Sequence, residues 1–250
     1  MDGYILGLRN KYQHMQPKNP QYSPHKHRPI NYGATQQLVQ PTDTSPPLNE
    51  KGINIIQGIV GALIYVGRAV NNKLLVALSA FGAQQAAATE DTSAAIEQLL
   101  EYVATYPNDG IIFRKSDMIL AAHADAGFLN ESRARSRAGA HIFLSENEPK
   151  PKLNGPVLTI AQIIKTVMAS AAEAEMAALF ITEKKMISLR YTLTEMGLPQ
   201  PQTPIQTENS TAVGFTNKTI FKKATKSSDM KLWWLRDKDS QEQFRYYWAP

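Results

Sequence analysis

Three carboxylates, spaced far apart in the chain, constrain the fold most. Asp125 follows the apolar run MILAAHA (118–124), Glu175 lies in SAAEAEMAALF (170–180), and Glu208 closes TPIQTE (203–208). An acid at a strand end, an acid on a helix and an acid at a second strand end can converge on divalent cations. Such hard ions take oxygen ligands, and a pair of them can activate water and stabilise the leaving oxygen in phosphodiester cleavage. The expected site is that of a metal-dependent nuclease, with Asp125, Glu175 and Glu208 as both metal ligands and catalytic acids.

Two glutamates compete within 170–180. Residues two apart on a helix point roughly 200° from one another, so Glu173 and Glu175 cannot both face one site. Ser170 and Glu173 have the spacing of a capping box, in which each side chain serves a free backbone N–H of the first turn. Glu175 is then the acid left to face a sheet, and Leu179, Met186, Leu189 and Leu193 extend an apolar face below it. Asp125 and Glu208 also have local alternatives: a carboxylate at a strand end can receive loop amides, and an acid before a helix favours its dipole. The set of three, in order, carries the functional reading.

The texture around these acids is α/β. IIFRK (111–115), DMILAAHAD (117–125) and AHIFLS (140–145) read as strands, the first two joined by a tight turn near Ser116, and PVLTIAQII (156–164) as another. A helix is expected over about 170–196, stopped by Gly197 and Pro199. TPIQTE is a short strand, with Asn209 or Ser210 capping a following helix. KSSDMKLWWLRDKD (226–239) reads as a helix, with Trp233-Trp234 as core packing, and QFRYYWA (243–249) as a last strand. This order suggests a mixed sheet flanked by helices.

Upstream, seven prolines from Pro17 to Pro47 mark residues 15–50 as a linker, since such composition buries too little apolar surface to offset the entropy of ordering. From 51 the pattern turns helical: Ile59, Leu63 and Val66 share a face, as do Leu75, Leu78 and Phe81, then Ile96, Leu99, Leu100 and Val103. Pro107-Asn108-Asp109-Gly110 is a turn signal. The longest apolar run, Ile55–Val66, is interrupted by Gln57 and closed by Arg68, so it falls short of a bilayer span, and no membrane partner is expected.

The 250 residues contain no cysteine, which excludes disulfides, thiolate zinc sites and thiol nucleophiles. That usage fits an intracellular protein, cytoplasmic or nuclear. A net charge of +5 is compatible with a polyanionic partner. Arg133, Arg135 and Arg137 alternate and would share a strand face, either as a cationic stripe for phosphates or as a charged edge that resists aggregation. Lys218, Lys222, Lys223 and Lys226 form a second basic cluster, read either as a nucleic-acid grip or as an exposed loop.

DAGFLNESRARSRAG (125–139), SAAEAEMAALF (170–180), LPQPQTPIQTENSTA (198–212) and KSSDMKLWWLRDKD (226–239) together resemble the ribonuclease H region of copia-type retrotransposon Pol polyproteins. GIVGALIYVGRAVNNKLLVALS (58–79) resembles the connecting segment that precedes that region, and MDGYILGLRNKYQH (1–14) the tail of the reverse transcriptase. The resemblance implies a reverse transcriptase tail over 1–14, a Pro-rich linker over 15–50, a helical connecting segment over 51–107 and a C-terminally truncated ribonuclease H-like domain over 108–250. It implies a ribonuclease H-like α/β fold, a hydrolase acting on the RNA strand of an RNA–DNA hybrid with Mg²⁺ or Mn²⁺, and an upstream reverse transcriptase region as partner. It places metal-binding acids at Asp125 and Glu175. Two departures point to an alternative, an impaired remnant that at most binds nucleic acid. Glu208-Asn209 stands where the family has Asp-Asn, and the family's last active-site Asp has no counterpart before Pro250.

Overall fold

A computed structural model describes residues 2–14, 17, 19–26, 43–131, 134–208, 214 and 226–249, the side chains of residue 2 and of 226–229 excepted. The contacts divide the chain into two compact units, with the main boundary between Ile111 and Ile112.

The first unit is helical. Its described helices are α1 (Asp2–Lys11), α2 (Glu50–Ala69), α3 (Leu75–Gln84) and α4 (Glu90–Thr105). Asn49 caps α2 by accepting the Gly52 N–H at 2.9 Å, and Thr89 and Thr92 form a reciprocal capping box on α4. Ile59, Leu63, Val66, Leu78, Phe81, Ile96, Leu99, Leu100 and Val103 are buried together in one apolar cluster. With 20 residues, α2 extends beyond the Ile55–Val66 run and is long and apolar enough to cross a membrane by length and composition alone, yet Ile56, Ile59, Val60, Leu63 and Val66 bury one face of it in this core. Parts of the Pro-rich 15–50 stretch are tied to the helices. The N–H groups of Asn19 and Gln21 reach Glu101 and Thr105, Gln98 donates to the Ser23 carbonyl, and Asp43 accepts from Thr89. These polar backbone anchors need no apolar periodicity, which is why composition alone reads the stretch as free linker.

The second unit is a five-stranded mixed sheet with helices. Its strands are β1 (Ile119–Glu131), β2 (Arg135–Ser145), β3 (Pro156–Ile163), β4 (Thr203–Thr207) and β5 (Phe244–Trp248), in the spatial order β3-β2-β1-β4-β5. The first three form an antiparallel meander, and β4 and β5 add in parallel. The helices are α5 (Ala171–Glu195), which joins β3 to β4, and α6 (Lys226–Ser240), which leads into β5. This is the α/β mixed sheet flanked by helices that the sequence pattern leads one to expect.

Period-two alternation places Leu120, Ala122 and Ala124 of β1 on one face with Ala140 and Ile142 of β2, Ile160, Ile205, Phe244 and Tyr246. Leu179, Met186 and Leu193 of α5 and Leu235 of α6 pack on that face. The helix starts where Ser170 accepts the Glu173 N–H at 3.2 Å. Glu173 reaches back to the Ala169 N–H, at 2.8 Å, one residue beyond the donor of a standard box. It ends at Gly197, whose φ of +81° closes the turn as the Leu198 N–H returns to the Leu193 carbonyl at 3.0 Å.

Residues 111–115 are not a strand. Their backbone is held by one side chain instead: Asn154 accepts the Arg114 N–H at 2.7 Å and donates to the Arg114 carbonyl at 2.9 Å. With no strand before it, the expected strand-to-strand turn near Ser116 is not formed either; the Ser116 hydroxyl accepts the Met118 N–H just before β1 begins. Trp234 packs edge-on against Phe180, but its neighbour Trp233 is 66% exposed and so is not part of the core.

Candidate active site

The parallel register of β1 and β4 brings two of the acids to one place. Ala122, His123 and Ala124 pair with Ile205, Gln206 and Thr207. Asp125 and Glu208 are the next residue on each strand. Adjacent strands lie about 4.8 Å apart, so the two acids emerge side by side where the ladder ends, and both are exposed.

Glu175 reaches them from α5. The alanines around it make this possible: Ala174, Ala177 and Ala178 pack against Ala138 and Ile164, with Ala126 and Phe128 of β1 beside them. Small side chains at that contact let the helix approach the sheet closely. On the other flank Met176 packs on Leu232 of α6.

Glu175 is buried, at 8% exposure. Its carboxyl lies beside the Asp125 carboxyl and the backbone N–H of Ala126, while Oε2 is buried without a protein partner. Burial pushes the Glu175 carboxyl up to about 8; the negative field of Asp125, its hydrogen bond with Asp125 and the charge of Glu208 push the same way, and the Ala126 N–H works against them. Burial and the neighbouring acids favour the protonated form of the Glu175 carboxyl.

An orphaned carboxylate oxygen among acids suits a hard cation, whose preferred donors are carboxylate oxygens. Asp125 and Glu175 therefore fit a divalent ion as a pair. Glu208 is near enough to act on Glu175 through its field, yet among the described residues no three acidic or imidazole side chains stand close enough together to hold one ion.

The basic candidates divide. Arg137 is buried, and its Nε donates to Glu131 at 2.7 Å while Nη1 reaches the Ala161 carbonyl. It is spent inside the fold and is no phosphate-facing cation. The irregular stretch of β1 between Gly127 and Glu131 brings the Glu131 carboxylate to Arg137, and that ion pair together with the Ala161 carbonyl takes up the guanidinium. Arg135 is half-buried and has an interaction of its own. Arg133, Lys218, Lys222 and Lys223 fall outside the described residues, as do Asn209, Ser210 and the Lys226 side chain.

Two features of this unit are not evident from the sequence pattern. Glu183, eight residues after Glu175, is wholly buried and accepts the Tyr246 hydroxyl at 2.6 Å. Its place between Leu179 and Met186 on the buried face was the available signal. Trp248, at the end of β5, donates its indole N–H to the Glu208 carbonyl at 2.9 Å, a contact with no signature in sequence.

No protein-family model matches the chain. Over 151 residues it is 25% identical to the retrovirus-related Pol polyprotein from transposon TNT 1-94 of Nicotiana tabacum, a match covering 60% of this chain and 11% of that polyprotein. Among solved structures it is similar to LC11-RNase H1, isolated from compost by a metagenomic approach, with 12% identity and a TM-score of 0.40 over 53% of this chain and 85% of that one. It is also similar to the foamy viral protease-reverse transcriptase in complex with RNA/DNA hybrid, with 10% identity and a TM-score of 0.48 over 85% of this chain and 25% of that one. At such scores the fold rests on the strand order itself.

Proposed function

We propose that this chain is part of a copia-type retrotransposon Pol polyprotein and that its second unit is a ribonuclease H-type module. Its substrate is the RNA strand of an RNA–DNA hybrid, and its partner within the polyprotein is an upstream reverse transcriptase region. The observation that carries the reading is the buried, uncompensated contact of Glu175 with Asp125 at the place where β1 and β4 part. The similarity to a transposon Pol polyprotein supports the setting.

Asp125 and Glu175 would hold Mg²⁺ or Mn²⁺, with Glu208 beside them. When bound, two such ions supply a water nucleophile at neutral pH and charge stabilisation at the leaving oxygen. The residues do the rest. The Glu175 carboxyl would serve as a cation ligand in its ionised form, and the nearby Ala126 N–H favours that form. Asp125 and Glu208 present their carboxylates on the exposed side, where a phosphodiester can reach them. The buried alanine contact of α5 fixes the spacing of helix acid to strand acid, so the ligands need no rearrangement.

The test is Mg²⁺- or Mn²⁺-dependent cleavage of a labelled hybrid. Asp125→Asn and Glu175→Gln should each lower the rate by more than about 100-fold, beyond the 10–100-fold typical of a residue that only orients a ligand. Cleavage that survives Asp125→Asn would refute the site.

A second reading is a catalytically impaired remnant that at most binds nucleic acid. It is favoured by the lack, among the described residues, of a three-acid group able to hold one ion, and by the extra methylene of Glu208. Hybrid binding without cleavage, with activity gained in Glu208→Asp, would select it.

A further inference from the structure

We propose that Trp248 is a positioning residue for the carboxylate of Glu208; this deepens, and rests on, the nuclease reading above. β4 and β5 run in parallel and their last paired residues are Thr207 and Trp248. Past that pair the ladder no longer holds β4, and Glu208 is the first residue to leave it. Its carbonyl is taken by the indole N–H of Trp248, at 2.9 Å. A backbone acceptor that would otherwise turn with the loop is thus tied to the end of β5.

The consequence falls on the acid site. Glu208 has a long side chain with three rotatable bonds, and it stands beside Asp125 where β1 and β4 separate. Fixing its backbone removes the motion on which those torsions would otherwise ride, so the carboxylate stays within reach of Glu175. The Trp248 ring itself is 48% exposed, so burial of the ring is not its whole purpose. The N–H bond does a separate task, and a phenyl ring cannot replace it.

The experiment uses the full chain and two readouts. The first is hydrogen exchange by NMR. In the native protein the Trp248 indole proton should exchange slowly, while that of the exposed Trp233 exchanges fast. Trp248→Phe should speed amide exchange at Thr207 and Glu208 about fivefold, the equilibrium weight of one ordinary hydrogen bond. The second is hybrid cleavage with Mn²⁺, in which Trp248→Phe should lower kcat severalfold with KM unchanged. Slow indole exchange and faster local amides with no cleavage by the native chain would keep the anchoring of Glu208 and sink the nuclease reading. A fast-exchanging Trp248 indole, or unchanged amides in Trp248→Phe, would overturn the proposal whether or not the chain cleaves hybrids. A rise in KM alone would overturn it too, since that is the mark of a surface that stacks on substrate.

Discussion

The carboxyl of Glu175, on α5, lies beside that of Asp125, on β1, where β1 and β4 part, and burial together with the Asp125 charge raises the Glu175 carboxyl well above the ordinary glutamate range.

The first prediction concerns the Glu175 proton. The Glu175 value of about 8 in the folded chain lies above its ordinary 4.5. Between those limits the folded chain keeps a proton that the unfolded chain has lost. The contribution to stability is therefore full below about pH 4.5, declines as pH rises and levels off above about 8. Asp125→Asn removes the strongest charge acting on Glu175, and a carboxyl-carbon NMR titration should show Glu175 titrating at lower pH in that variant. An unchanged midpoint would mean the two acids are not in contact.

Glu183 makes a second, separable prediction. Burial pushes its carboxyl well above the usual range, although the Tyr246 hydroxyl pulls the other way. The same sign holds: its contribution is full at low pH and falls as pH rises above about 4.5, the ordinary glutamate value. Glu183→Gln keeps the shape and abolishes the titration. Its melting temperature should gain on that of the native chain from pH 5 to pH 8. A parallel pair of curves would contradict a proton held on Glu183.

Arg137 should behave as a structural residue. Removing one member of a buried ion pair costs about 3–5 kcal/mol, because the other charge is left without a partner. Urea denaturation of Arg137→Ala should show a loss of that order, from the Glu131 carboxylate left unpaired at 11% exposure, whereas a cation on a hybrid-binding face would change affinity and its salt dependence with little effect on stability.

The start of α5 gives a smaller effect. Ser170→Ala removes the acceptor for the Glu173 N–H and should cost about 1 kcal/mol. Because Glu175 lies in the second turn, the same variant should also weaken metal binding modestly. A stability loss with no change in Mn²⁺ affinity would mean that fraying of the first turn does not reach Glu175.

Much of this fold was legible because local signals agreed with the tertiary outcome. Ser170 and Gly197 marked the ends of α5, and the apolar spacing of Leu179, Met186 and Leu193 marked its buried face. TPIQT and the FRYYW stretch became strands as their patterns suggested. Residues 111–115 misled because a short apolar run carries no information about its partner, and here Asn154 supplies the hydrogen bonds. Arg137 departed from a phosphate-facing stripe because Glu131 of the neighbouring strand pairs with it inside the fold, a contact across strands that spacing alone does not show. That Asp125, Glu175 and Glu208 lie near one another was legible in the sequence, since each stands at the end of a strand or early on a helix where the fold fixes its place. The proton on Glu175 and the Trp248 anchor could not, because both arise from contacts across elements.

The most direct test of the account is the binding of Mn²⁺, followed by electron paramagnetic resonance of the free ion. The full chain should deplete the free signal at neutral pH, and both Asp125→Asn and Glu175→Gln should restore it. Equal depletion by the native chain and both variants, or none by the native chain, would contradict a cation site built on these acids.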